Sequence, residues 1–294
     1  MDTYFQAARA NLFGHVSFLQ ARTPGMLIRD MGGAVLVDSG LGSDTFNKVL
    51  WGYDARGEAA EPEQPEASLR AAAEWFAGRR PAGLLDLPGR PLPPATERPF
   101  TVWACAGDEW ALNRQRLFFE GRGYRVGERE SGMFLPLSQR EARAPQMPEG
   151  LRIVPVRTAG DLAAFSEVMA ANWNPPDEDV KTFYKMTEHV LLQSVGAMRL
   201  FVGLAGDVPV ASGELFVSER GNIAGLHMIC TRELYRKKGF GRAMTETLLA
   251  AAKEAGAGLA VLQASAEGEP VYRRAGFLPC GFFVEYVVAE EILF

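Results

Sequence analysis

The run Arg236-Lys237-Lys238-Gly239-Phe240-Gly241-Arg242-Ala243 gathers basic side chains and two glycines in a form written R-x-x-G-x-G-x-A. It follows an apolar stretch, residues 223–229, and opens a helical pattern over residues 242–255. A strand that feeds a glycine-rich turn at a helix N-terminus predicts an anion site. Backbone N–H groups and the positive end of the helix dipole converge there on one spot. Glycine lets that backbone approach phosphate with no Cβ in between. Arg236, Lys237, Lys238 and Arg242 add positive charge to the same place, and a pyrophosphate is the ligand it suits.

Other phosphate and nucleophile motifs are absent. A dinucleotide-binding fingerprint needs a third glycine three residues after the second, and Met244 stands there. No Gly-Lys-Ser/Thr ending of a Walker loop occurs. No G-x-S-x-G surrounds a serine; Ser39 and Ser212 lack the first glycine. His15, His189 and His227 show no metal-ligand spacing, so no metal is expected. The run from Asp38 to Asp44 is rich in Gly, Ser and Asp and reads as a turn that ends a strand.

A second block lies downstream. Residues 259–265, Leu-Ala-Val-Leu-Gln-Ala-Ser, read as a strand. Residues 269–277 then read as a short helix closing on Ala275-Gly276-Phe277. The first block resembles the acetyl-CoA loop of the GCN5-related N-acetyltransferases (GNAT), and Tyr272-Arg273-Arg274-Ala275-Gly276-Phe277 resembles the Y-x-x-x-G-F that closes that fold. The predicted element order from residue 150 onward, β-α-α-β-β-β-α-β-α-β, is also that of the family. The resemblance covers roughly residues 150–294.

It implies a fold, a cofactor and a reaction. The fold class is α/β (α+β), with a mixed, mostly antiparallel twisted sheet flanked by helices. Acetyl-CoA is the co-substrate, and an amine attacks its thioester directly. The resemblance assigns acetyl-CoA to Arg236, Lys237, Lys238, Gly239, Phe240, Gly241, Arg242 and Ala243, with Ser265 after the next strand. It puts the N–H that polarises the acetyl carbonyl near Ile229, at a bulge, and pairs the pantetheine arm with backbone around Thr231. Tyr272 stands where many members keep a general acid for the leaving thiolate. Members with a glutamate base early on the fourth strand would carry it at position 225, which here is Gly225. His227 shares its face by strand alternation. Glu214 on the preceding strand is the rival, and a solvent channel without a single base is the third possibility. The loop around Trp173 and Pro175-Pro176 walls the acceptor site in many members.

The first half is a weaker echo. Helices are predicted over residues 2–20, 67–77 and 109–119, and short strands over 26–29, 34–38, 45–50, 101–106 and 133–137. Phe119-Glu120-Gly121-Arg122-Gly123-Tyr124 aligns with Tyr272–Phe277 without a gap, so the half reads as a second, degenerate GNAT-like copy. It lacks the basic loop, and its tyrosine is Phe119. The expected domains are therefore 1–140 without an acetyl-CoA loop and 150–294 with one, joined by a linker at 139–150.

Composition sets the outer bounds. The chain has 294 residues, 47% hydrophobic and 23% charged, with net charge −5. These values predict a globular protein that binds neither nucleic acid nor membrane. Cys105, Cys230 and Cys280 are far apart, form no C-x-x-C and read as buried free thiols in the cytoplasm. The acceptor is expected to be a small-molecule or peptide amine, and the oligomeric state is left open. A non-catalytic acyl-CoA-binding module and a transferase of longer acyl groups are the alternatives.

Overall fold

A computed structural model describes residues 2–79, 92–138, 145–193, 196–218 and 222–289. In chain order its elements are α1 (Asp2–Phe18), β1 (Leu27–Asp30), β2 (Ala34–Asp38), β3 (Lys48–Trp51), α2 (Pro65–Phe76), β4 (Thr101–Ala106), α3 (Glu109–Glu120) and β5 (Tyr124–Pro136). There follow β6 (Leu151–Pro155), α4 (Ala159–Ala170), α5 (Glu178–Gln193), β7 (Met198–Ala205), β8 (Val208–Val217), β9 (Ile223–Thr231), α6 (Phe240–Glu254), β10 (Leu259–Ala264), α7 (Glu269–Arg274) and β11 (Leu278–Val288). From β6 onward the order is the one predicted.

The chain sorts into two compact units. The larger holds residues 3–15 and 132–280; the smaller holds residues 16–131 and those from 281 on. The first turns of α1 and the end of β5 thus belong with the second half of the sequence, and most of β11 with the first.

In the larger unit the strand order is β5-β10-β9-β8-β7-β6, with β5 contributing residues from Gly132. Strands β6 to β9 pair antiparallel, and β9 pairs with β10 in parallel. Alternation along β8 places a helix on each face. The Ser212 hydroxyl touches Met169 of α4, while a Cβ on Gly213 would meet Met244 and Leu248 of α6. Helix α6 buries Phe240, Ala243, Met244, Leu248, Leu249, Ala251 and Ala252 at helical spacing. Its Met244 and Leu248 pack with Leu215, Leu226, Leu262, Phe277 and the β5 residues Met133 and Leu135. Helix α4 starts on a complete capping box, in which Thr158 and Asp161 satisfy each other's backbone N–H.

In the smaller unit the order is β1-β2-β3-β4-β11-β5, with β5 contributing residues up to Ser131. Here β3 and β4 are parallel, and the pairs β1–β2, β2–β3 and β4–β11 are antiparallel. Its core joins Leu36, Val49, Trp75, Phe76, Val102, Phe119 and Tyr286. Both units therefore set a parallel pair, β9–β10 in one and β3–β4 in the other, beside antiparallel ones. Both also turn on a glycine with positive φ after the aligned helix, Gly123 at 80° and Gly276 at 99°.

Several boundaries differ from expectation. Strand β5 begins at Tyr124, not near residue 133, because its first part is charged and exposed and shows no alternation. Residues 44–46 form a 3-10 turn, so β3 starts at Lys48. Cys105 and Cys230 are only half-buried, and Cys280 alone is fully buried. Residues 139–144 of the expected linker lie outside the described residues. The Asp38–Asp44 run is a structural turn. The Asp38 carboxylate accepts from Arg98 at 2.6 Å and from the Trp75 indole at 2.7 Å. The Asn47 amide accepts from Ser39 and donates to the carbonyls of Leu41 and Pro99.

Candidate active site

The basic loop opens α6. Gly239 is its N-cap at φ 83°, and Lys237 also takes positive φ at 61°. Only Gly239 enters this region at no steric cost, which explains the first glycine of the motif. Gly241 has a different reason: the nearest atom to a Cβ there would be the Thr231 hydroxyl at 3.8 Å, so the backbone faces open space. Arg236, Lys237, Lys238 and Arg242 are exposed, while Phe240 and Ala243 are buried against Leu151 and Val210 and anchor the turn. Arg236 donates from Nε to the Thr231 carbonyl at 3.1 Å, and the Lys238 ammonium lies 5.0 Å from the Tyr235 ring centre.

The strand that feeds this loop is irregular at one place. Across β8 and β9, Glu214 pairs with His227 and Ser212 with Cys230, so Met228 and Ile229 oppose the single residue Gly213. This is a β-bulge, and Met228 takes φ 49° in it. The Ser212 hydroxyl donates to the Met228 carbonyl at 3.1 Å. On the other side, the parallel ladder with β10 ends at the pair Val261–Gly225, while β9 continues to Thr231 and β10 to Ala264. Ile229 and Thr231 thus lie on a length of β9 beyond the end of its ladder with β10. Ile229 packs against the same apolar cluster as the buried Tyr272, whose ring meets Phe277 edge-on at 6.1 Å. The Ser265 hydroxyl accepts from the Gly268 N–H at 3.2 Å and shapes the turn into α7.

His227 and Glu214 come together with three residues that sequence reading missed. The Glu214 carboxylate accepts from the Tyr184 hydroxyl at 2.7 Å, and its other oxygen lies 2.7 Å from His15 Nε2. The His15 and His227 rings stack at 3.8 Å with 14° between planes. His227 Nε2 lies 2.9 Å from Asn11 Oδ1. Asn11 Nδ2 donates to the Phe216 carbonyl at 3.3 Å and to the Ser218 hydroxyl at 2.8 Å. All are buried: Glu214 and Tyr184 are 2% exposed, His227 7% and His15 8%. Burial, then the adjacent His15, holds the His227 pKa well below the usual imidazole range. Burial and the Glu214 carboxylate push the Tyr184 hydroxyl well above its ordinary 10. Cys230, nearby on β9, is raised by burial to about 11 and is a neutral thiol at pH 7.

Gly225 sits under this cluster. A Cβ there would come within 1.8 Å of Asn11 Oδ1 and 2.2 Å of His227 Nε2. The space that a side chain at 225 would fill is taken by the Asn11–His227 hydrogen bond. Asn11 and His15 escaped the sequence reading because they lie about two hundred residues from their partners, in a helix that reads as ordinary N-terminal structure.

Trp173 is partly exposed after α4. A cavity of about 670 Å³ opens elsewhere in the unit, lined by Pro155, Leu191, Met198, Phe201, Thr247 and Ala251; none of the predicted site residues lines it. Among the described residues no group of three or more His, Cys, Asp or Glu side chains is placed to hold a metal, and no helix is long and apolar enough to cross a membrane.

Residues 173–285 match the family model described as an acetyltransferase (GNAT) domain. No curated protein sequence matches the chain. Among solved structures, a GCN5-related N-acetyltransferase from Kribbella flavida is similar over 95% of both chains, with 16% identity and TM-score 0.59. One from Sphaerobacter thermophilus covers 88% of this chain and 81% of its own, with 19% identity and TM-score 0.56. A tandem GNAT protein from the clavulanic acid biosynthesis pathway covers 94% of this chain and 86% of its own, with 12% identity and TM-score 0.58. At these identities the likeness is one of fold.

Proposed function

Residues 173–285 form a GNAT acetyltransferase domain, and from that premise we propose that the larger unit transfers acetyl from acetyl-CoA to a primary amine by direct attack. The observation that carries this reading is the continuity of β9: a bulge at Met228–Ile229, the end of its ladder with β10, and then the basic turn that opens α6. A thioester needs its carbonyl polarised, its long arm held straight and its pyrophosphate fixed. The bulge supplies an N–H near Ile229, the β9 backbone around Thr231 supplies strand-like pairing, and Gly239–Ala243 with Arg236, Lys237, Lys238 and Arg242 supply the anion site. Ser265 lies at the end of β10, on the other side of the same opening.

Acetyl-CoA contributes the acyl group and the thiol leaving group; the chain's own residues handle protons and position. The attacking amine is neutral when its lone pair forms the C–N bond. As the C–S bond breaks, the thiolate takes a proton for which Tyr272 is the donor in this reading. The amine's proton leaves toward the cluster of His227 and Glu214. The smaller unit, which lacks the loop and has Phe119 in the place of Tyr272, binds no acetyl-CoA.

The test is release of free CoA thiol from acetyl-CoA across a panel of small amines and peptides. Transfer above the uncatalysed rate with at least one amine is the expected result. Tight acetyl-CoA binding without transfer to any amine would instead support an acyl-CoA-binding module. Tyr272→Phe is expected to lower kcat by about 10²–10⁴-fold, the usual worth of general acid help, at nearly constant acetyl-CoA affinity.

A further inference from the structure

We propose that His15, carried into the larger unit by α1, is the proton acceptor for the attacking amine, with Nδ1 the accepting atom and Glu214 its positioning residue; this rests on the transferase reading above.

The hydrogen bonds fix which nitrogens carry protons. Both Glu214 oxygens accept, one from the Tyr184 hydroxyl and one from the His15 ring. A carboxylate has no proton to give, so His15 Nε2 carries the hydrogen. In neutral His15 the other nitrogen, Nδ1, is then a bare lone pair. It is buried and has no hydrogen-bond partner among the described residues. A buried nitrogen lone pair left unmatched costs stability, and its persistence points to a ligand that supplies a proton there. The stacked partner is different. The Asn11 nitrogen faces the Phe216 carbonyl, so Asn11 Oδ1 faces His227, and His227 Nε2 must donate to it. His227 is held neutral by burial and by its neighbour 3.8 Å away. Of the two stacked rings, His15 is the one backed by a carboxylate.

The groups facing His15 are complementary to this role. Glu214 of β8 meets the positive charge that forms on the ring; Tyr184 of α5 holds that carboxylate from its other side; His227 of β9 stacks on the ring as a neutral plate; Cys230 of β9, near Tyr184 and Glu214, remains a thiol. The step balances. R–NH₃⁺ gives one proton to His15 Nδ1 and becomes R–NH₂. The nitrogen lone pair forms the C–N bond, and the C–S pair leaves with sulfur. The second nitrogen proton reaches the sulfur by way of the Tyr272 hydroxyl, which gives one proton and regains one. The imidazolium then releases its proton to water.

Glutamine separates the roles. His15→Gln keeps an N–H donor near the position of Nε2, so the bond to Glu214 survives, but it has no titratable lone pair. We expect kcat to fall by about 10²–10⁴-fold, with KM for acetyl-CoA and the melting temperature nearly unchanged, and the acid limb of the kcat/KM profile to vanish. An unaltered rate and profile in a folded variant would overturn the proposal. A second measurement does not need turnover: the ¹⁵N imidazole spectrum of the wild-type protein should show His15 with its proton on Nε2 and none on Nδ1 near neutral pH. A proton on Nδ1 would overturn the assignment even if the enzyme is active. A wild type that binds acetyl-CoA, shows the expected tautomer and acetylates no amine would count against the transferase reading and, with it, against a proton acceptor role for His15.

Discussion

Gly225 shows how a single missing side chain frees a site. The strand runs past Asn11 and His227 so closely that a methyl group would overlap both. Gly225→Ala is therefore expected to break the Asn11–His227 hydrogen bond and destabilise the protein by about 1–3 kcal/mol, the usual cost of overpacking; denaturant unfolding measures it. Gly203, which lies between Ala211 and Leu151, is crowded only by side-chain carbons and serves as the comparison. His227 gives a pH signature. Its folded pKa is depressed, so the unfolded chain takes up that proton more readily. Stability from this group is present above the unfolded value near 6.5 and is lost as pH falls below it, by up to about 1.4 kcal/mol per pH unit. Unfolding free energies at several pH values should show this slope in wild type and a shallower one in His227→Gln.

At the scale of elements, the proposed site stands on the junction of β9 and α6. The junction was legible in the sequence because its parts are contiguous: an apolar strand, a basic turn, two glycines and an amphipathic helix within thirty-odd residues. The physics is local, so spacing alone revealed it. The buried cluster was only half legible: His227 and Glu214 stand near the junction in sequence and were expected there, while Asn11 and His15 of α1 and Tyr184 of α5 meet them only through tertiary packing. Strand β5 was half legible for a related reason: residues from Met133 on are buried and apolar, while those from Arg125 to Ser131 follow no alternation. The junction makes its own prediction. Gly239→Val forces a β-branched side chain into φ 83°, and Arg236→Glu places a carboxylate in the proposed anion site. Each should weaken acetyl-CoA binding at least tenfold, read by calorimetry. The Arg236→Glu effect should shrink as salt rises, because an exposed charge is screened. Loss of affinity that is insensitive to salt would assign Arg236 to holding the Thr231 carbonyl instead.

For the whole molecule, the division of the chain matters more than the repeat. A cut between residues 140 and 150 follows the sequence repeat, yet it takes Met133, Leu135 and Leu137 from the core of the larger unit and removes Asn11 and His15 from the buried cluster around Glu214 and His227. It also leaves Tyr286 and Val284, core residues of the smaller unit, on the wrong fragment. Each half therefore loses buried apolar side chains that its own unit needs, at a cost of several kcal/mol by the measure of large-to-small core changes. That exceeds what a marginally stable domain spares. Fragments 1–140 and 150–294 expressed separately should show poor amide protection and no cooperative thermal transition, and mixing them should restore both. Acetyl-CoA should then titrate the restored complex, like the intact chain, with one site, because among its described residues the smaller unit offers no basic turn at a helix N-terminus after its parallel pair. Two equivalent sites by calorimetry would mean that the smaller unit binds the cofactor by a route other than the loop. A fragment 150–294 that melts cooperatively and binds acetyl-CoA alone would show that α1 and β5 are dispensable to the larger unit, and the role of His15 would then have to be sought within the fragment.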